Sequence, residues 1–237
     1  MNFEHKSVLI AGGTGALGQA VTLAFLDQLA SVTVTYRRQE EFVALKKAAG
    51  ANASSLVGQE LDVTDDAAVR QATASIVANH GRLDVLVNAV GAYAGGTPLW
   101  ELEPKIFDQM LKLNLLSGYV LCRAVVPVML KQGKGAIVNV ASRAAFDHAA
   151  GATAYAASKA AAVAMIDCLA ADLRGSGIRA NSILPSIIDT EANRRAMPQA
   201  DFTNWPKPED IARVVVFLCS DEAKLVHGAA VPVYGNT

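Results

Sequence analysis

The chain predicts an α/β protein, a doubly wound parallel sheet of about seven strands with helices on both faces. Three observations carry this. Short apolar runs alternate with helix-period segments from one end to the other, which is the pattern of right-handed βαβ crossovers. A glycine-rich turn joins the first such run directly to the first periodic segment. The 237 residues, 52% of them hydrophobic, contain no repeat, low-complexity tract or linker, so one domain is expected over 1–237.

Taken in order, Ser7–Ala11 (SVLIA) is a buried strand, and Ala16 to Leu29 has helical period. Ser31–Tyr36 (SVTVTY) is β-branched and strand-like, and Glu40–Ala49 is helical. Ser54–Leu61 forms a third strand ahead of Asp62-Val63-Thr64-Asp65, where Thr64 is expected to cap a helix running to about Asn79. Asp84–Asn88 is the fourth strand. A loop from Gly91 to Pro98 leads to helical patterns from Pro104 to about Lys131. Gly135–Val140 is a strand, 154–174 an alanine-rich helix, and Ile178–Leu184 a strand. Residues 208–219 are helical, and 229–233 form a last short strand. The long insertion 186–207, between a strand and a helix, is where a substrate lid is expected.

Composition removes several function classes. The formal net charge is −1 with both signs scattered, so neither nucleic acid nor an anionic membrane is an expected partner. The amino terminus holds an acid and only a short apolar run, unlike a signal peptide. The most apolar stretches are interrupted by Lys159, Asp167 and Asp172, which argues against a membrane span. Cys122, Cys168 and Cys219 are odd in number and set in apolar segments, where buried small hydrophobes are expected. His5, His80, His148 and His227 have no ligand-like spacing, so no metal site is expected. These features suit a cytoplasmic protein.

The first turn reads Gly12-Gly13-Thr14-Gly15-Ala16-Leu17-Gly18. Glycines between a strand and a helix let the backbone turn sharply and approach a pyrophosphate, which then lies at the positive end of the helix. This points to a dinucleotide on a Rossmann-type sheet. An acid at the end of the second strand would accept from the ribose hydroxyls, but the sequence there is Tyr36-Arg37-Arg38. Two guanidinium groups favour a 2′-phosphate, hence NADP(H) over NAD(H), although solvated arginines opening a helix have the same appearance. Asp62, Val63, Asn88, Ala89 and Val90 lie at strand ends on the same carboxyl edge. Asp62 suits an adenine amino group and Asn88 a ribose-side loop, and capping fits both equally.

Tyr155 and Lys159 stand four apart in the alanine-rich helix, on one face. Free tyrosine has a pKa of about 10. A neighbouring ammonium, with the positive charge of a nicotinamide, would bring it toward neutrality. Ser142, just past the fifth strand, is placed to hold a substrate oxygen that Tyr155 protonates.

With Gly12–Gly18, Asp62-Val63, Asn88-Ala89-Val90-Gly91, Asn114, Ser142, Tyr155-Ala156-Ala157-Ser158-Lys159 and Pro185-Ser186, the chain resembles the short-chain dehydrogenase/reductases over essentially its whole length. The resemblance implies a catalytic tetrad of Asn114, Ser142, Tyr155 and Lys159, with Tyr155 as general acid/base and Ser142 orienting the carbonyl. Lys159 would bind the nicotinamide ribose, and Asn114 would anchor a proton-relaying water. It also implies cofactor contacts from Gly12, Thr14, Gly15, Ala16, Leu17, Gly18, Arg37, Arg38, Asp62, Val63, Asn88, Ala89, Val90, Tyr155, Lys159, Pro185, Ile188 and Thr190, and a homodimer or homotetramer paired through the helices after the fourth and fifth strands. The chain departs from the usual pattern in Ala89-Val90, in Ser186 after Pro185, and in Ala16.

Gly91–Gly96 and the lid from Leu184 to Trp205 resemble the dihydropteridine reductases, which makes a quinonoid pterin the alternative to a carbonyl or alcohol substrate. Ser142 favours the carbonyl. Arg194, Arg195 and Trp205 are either substrate clamps or hinge and packing residues; Tyr93 and Trp100 either line the pocket mouth or pack. Only His148, among the histidines, falls where it could touch substrate. A dinucleotide sensor without catalysis would have no use for Ser142, Tyr155 and Lys159 together. An extended-branch epimerase would carry a longer carboxyl-terminal region.

Overall fold

The computed structural model describes residues 1–237. Strands β1 (Ser7–Ala11), β2 (Ser31–Tyr36), β3 (Leu56–Glu60), β4 (Val85–Asn88), β5 (Gly135–Val140), β6 (Ile178–Pro185) and β7 (Ala230–Val233) form one parallel sheet in the order β3-β2-β1-β4-β5-β6-β7. Helices α1 (Ala16–Asp27), α2 (Gln39–Ala48), α3 (Asp66–His80), α4 (Pro104–Leu111), α5 (Ser117–Gln132), α6 (Thr153–Asp172), α7 (Glu191–Ala196) and α8 (Pro208–Cys219) complete the fold.

The period-two geometry of each strand feeds two cores. Val8 and Ile10 of β1, with Val85, Val87, Ala136 and Val138, meet α1, α2 and α8 on one face. Leu9 and Ala11, with Leu86 and Ile137, meet α3, α5 and α6 on the other. Because both faces are covered, β1 and β4 are buried along their whole length and read as continuous apolar runs. Edge strand β7 pairs only with β6, which accommodates Pro232.

The strand order reverses between β1 and β4, and Ala11, Asn88, Asn139 and Ser182 stand in register across β1, β4, β5 and β6. Ligands of such sheets bind in the crevice outside the carboxyl ends at this reversal.

Several expectations need correction. Asp65, not Thr64, caps α3, its carboxylate accepting from the backbone N–H groups of Ala67 and Ala68; Thr64 instead donates to Asp62. The helical stretch from Pro104 is interrupted by a π-helical turn, Lys112–Leu116, that contains Asn114. Cys168 is exposed, whereas Cys122 and Cys219 are buried and their thiols are pushed up to about 12. By length and composition the helical stretches 104–132 and 153–172 could each cross a membrane, Lys159, Asp167 and Asp172 notwithstanding. Here they pack on the sheet, with Val120, Leu121, Val125, Met129, Ile166 and Ala170 in the core.

Candidate active site

The crevice begins at the glycine loop. Gly12 has φ +73°, a conformation that suits glycine, and its N–H donates to Thr35 Oγ1 at 3.1 Å. A side-chain carbon at Gly18 would collide with the Gly12 carbonyl, so glycine there lets α1 sit against the turn. Gly15 is different. A Cβ there would meet only the Gly12 carbonyl, at 3.5 Å, so its surroundings are open. It occupies the N-cap of α1 without a side-chain cap, and the first turn carries no acid. Free N–H groups and the helix dipole therefore face open space, an arrangement that fits the pyrophosphate of a dinucleotide.

The other residues expected to touch the cofactor divide by environment. Thr14 is buried and Ala16 exposed beside Gly15. Leu17 and Val63 point into the two cores, leaving only their backbone to the crevice. Asn88 is buried; its Nδ2 donates to Asn139 Oδ1 (2.9 Å) and its Oδ1 accepts from the Val90 N–H (3.2 Å), so it holds the strand ends. Ala89 continues this edge, its N–H donating to the Ala11 carbonyl. The Asp62 carboxylate accepts from the backbone and hydroxyl of Thr64, which hold its pKa below the usual range, helped by Lys112 and Arg37. Pro185 ends β6, the Ile188 carbonyl accepts from Asn193, and Thr190 caps α7. Arg37 and Arg38 are both exposed at the end of β2, Arg38 paired with Glu41.

Ser142, Tyr155 and Lys159 meet where β5 gives way to α6. Ser142 has extended backbone and its Oγ accepts from the Ala144 N–H (3.1 Å). Lys159 is 4% exposed, yet its Nζ reaches only one partner here, the Val140 carbonyl at 2.9 Å. Burial lowers its pKa to about 8. The ammonium stands 6.0 Å from the Tyr155 ring centroid.

The expected acidification of Tyr155 is not found. Burial drives the phenol above its ordinary value, the neighbouring Ser142 hydroxyl opposes the rise, and Tyr93 adds to it. Desolvation of the phenolate outweighs the distant ammonium.

Asn114, in the π turn, is 2% exposed. Its Oδ1 accepts from the Ala92 N–H (2.8 Å), while Nδ2 donates to the Ala92 carbonyl (3.0 Å) and to Ser158 Oγ (2.9 Å). Both polar ends are thus engaged by protein, tying the loop after β4 to α6. A Cβ on Gly91 would fall 2.9 Å from Asn114 Oδ1 and 3.0 Å from Lys159 Nζ, so glycine is what lets this loop close over the pair.

Other candidates resolve individually. Tyr93 is exposed, its ring edge-on to that of Tyr155 at the site's mouth. Trp100 is exposed and bonded to Glu101. Arg194 pairs with Asp189 and Arg195 with Glu191, and Trp205 is buried against Phe202, contacts of the kind hinge and packing residues make. His148 is exposed, and His227 bridges Ala170 and Ala180 away from the site. No three His, Cys, Asp or Glu side chains cluster as metal ligands. Sequence reasoning missed Glu41, which binds the glycine loop from α2, and the structural role of Ser158. Ser158 stands three residues past Tyr155, a spacing that lets its hydroxyl donate to the Tyr155 carbonyl.

The short chain dehydrogenase profile matches residues 6–201. A 3-oxoacyl-(acyl-carrier-protein) reductase of Thermotoga maritima is 32% identical across 100% of this chain and 99% of its own length. A D-threitol dehydrogenase of Mycolicibacterium smegmatis is 34% identical, covering 98% and 93%. The solved structure of ElxO with NADP bound superposes with a TM-score of 0.91 at 27% identity, covering 97% of each chain. With this match and a doubly wound sheet whose crevice fits a nicotinamide dinucleotide, the chain belongs to the short-chain dehydrogenase family of oxidoreductases.

Proposed function

We propose that the protein is an NADPH-preferring oxidoreductase that interconverts a carbonyl and an alcohol, with Tyr155 as general acid/base. The observation that carries this is the convergence of the Ser142 hydroxyl and the Tyr155 phenol where β5 gives way to α6, next to a buried Lys159 whose ammonium lies 6.0 Å from the Tyr155 ring centroid. A bound nicotinamide supplies the hydride in reduction and accepts it in oxidation. Ser142 orients the substrate oxygen. Tyr155 Oη gives that oxygen a proton in reduction and takes it back in oxidation, and its raised pKa keeps the phenol protonated at neutral pH, the form reduction needs. Lys159, fixed through Val140, would hold the nicotinamide ribose; Asn114 holds the loop and α6 that carry these groups in one geometry. Arg37 and Arg38 supply positive charge for a 2′-phosphate. The relatives named above act, by their names, on an oxoacyl thioester and a polyol, and ElxO binds NADP; this range supports the reaction class more than any one substrate.

We also propose a homo-oligomer paired through α4 and α5, where Leu111, Leu115, Leu116 and Tyr119 line an apolar cleft with Met165 of α6. Light scattering of Tyr119→Glu against the wild type tests it; equal masses above that of a monomer would rule this face out.

The function is tested by NADPH and NADH oxidation with a panel of ketones, β-ketoacyl thioesters and a quinonoid dihydropterin. Ketone or thioester turnover that falls in both Tyr155→Phe and Ser142→Ala supports the proposal. Pterin turnover that survives Ser142→Ala, with no carbonyl turned over, overturns it.

A further inference from the structure

At the end of β2 the sequence offers two arginines and no acid, but the fold returns one from the next helix. Glu41, in the first turn of α2, accepts a hydrogen bond from Thr14 Oγ1 at 3.0 Å and forms an ion pair with Arg38. Thr14 is buried within the glycine loop, and the Glu41 side chain is itself only 29% exposed. Glu40 approaches Arg38 at 3.8 Å but is 74% exposed. One carboxylate therefore grips the phosphate-binding turn and neutralises one of the two cations beside it.

We propose that Glu41 is a cofactor-discriminating residue, a built-in competitor of the 2′-phosphate for Arg38. The inference rests on the cofactor reading above. A 2′-phosphate that takes Arg38 must share the guanidinium with a carboxylate or displace it, and either way brings like charges together. A plain ribose meets no such repulsion, and its 2′-hydroxyl finds in Glu41 an acceptor of the kind usually supplied from the strand end. Glu41 thus limits the advantage that Arg37 and Arg38 give NADPH and keeps NADH usable. The acid was missed because it lies five residues past Tyr36, where strand-end logic does not look; only the turn into α2 and its stacking of Phe42 on Tyr36 bring it back to Thr14.

The test is binding without substrate. Dissociation constants for NADPH and NADH are measured by calorimetry at low ionic strength for the wild type, Glu41→Gln, Glu40→Gln, Arg37→Ala and Arg38→Ala. Glutamine keeps an acceptor for Thr14, so the loop anchor survives. Glu41→Gln is expected to tighten NADPH about tenfold, the scale of ~1.4 kcal/mol, with NADH unchanged or weakened. Glu40→Gln, with the same change of charge, is expected to shift NADPH less than about threefold. A Glu41→Gln preference ratio within twofold of wild type overturns the inference, as does an equal shift in Glu40→Gln. The cofactor reading has its own failure: unchanged preference in both arginine variants. If the arginine variants lose NADPH while Glu41→Gln is silent, the cofactor reading stands and this inference alone falls.

Discussion

The ring of Tyr93 meets the ring of Tyr155 edge to face, with centroids 5.0 Å apart and planes at 73°. The contact joins the loop after β4 to the residue proposed to move the proton, and it removes water from one side of the phenol. Burial is the main cause of the raised Tyr155 pKa. Tyr93→Ala is therefore expected to hydrate the phenol and lower its pKa toward the ordinary value. In the reductive direction activity falls as pH rises through that pKa, so the alkaline limb of the kcat/KM profile should move to lower pH. Loss of the aromatic pair should cost about 1 kcal/mol of stability. An unmoved alkaline limb would show that Tyr93 does not govern this titration.

Tyr155→Phe should lower kcat by roughly 10²–10⁴, the range of general acid–base catalysis, with NADPH still bound. Ser142→Ala should cost somewhat less, since orientation is lost but the proton donor remains. Stopped-flow turnover alongside calorimetric cofactor binding separates the two effects. Full activity in Tyr155→Phe would remove the proposed acid.

Lys159 provides a pH test of the fold itself. Its folded pKa, about 8, lies below the ordinary lysine value of 10.5. Below pH 8 the side chain is charged in both folded and unfolded chains, and the penalty of burying that charge is fully present. Between pH 8 and 10.5 the unfolded chain binds more protons, so this group's contribution to stability improves as pH rises. The urea-unfolding difference between wild type and Lys159→Met should shift in favour of the wild type by up to about 3 kcal/mol across that window. A flat difference would mean an unshifted lysine.

Asn114→Ala strips partners from the Ala92 backbone and from Ser158 Oγ, both at the junction of the loop and α6. Unpaired buried groups cost about 1–3 kcal/mol each, so a loss of roughly 2–4 kcal/mol is expected by chemical denaturation. Because the Gly91 loop that Asn114 anchors lies close against Lys159, kcat should fall too. Wild-type stability in Asn114→Ala would show that this junction is held by other contacts.

Much of this architecture was legible in one dimension. The central strands announce themselves because both faces are covered, which gives β1 the apolar run VLIA and β5 the apolar run AIV with no alternation of polar residues. The turn from Gly12 to Gly18 and the Tyr155–Lys159 spacing are local, set by a helix period and by glycine's freedom. The π turn at Lys112–Leu116 was not legible, since its side chains keep a helical pattern while only the hydrogen-bond register changes. The cap of α3 was misassigned by one residue because Thr64 and Asp65 are both good capping types, and Asp62 takes the threonine.

The sequence by itself determined the class of fold, the dinucleotide-binding turn and the identity of the residues that converge beyond β5, because each depends on short-range periodicity or on residue chemistry. The tertiary structure alone decided what surrounds them. Burial that raises Tyr155 and lowers Lys159, the closure of Gly91 over Asn114, and the return of Glu41 to Thr14 and Arg38 all arise from segments distant in sequence. Desolvation and charge pairing depend on what packs around a group in space, and no local pattern of residues encodes that.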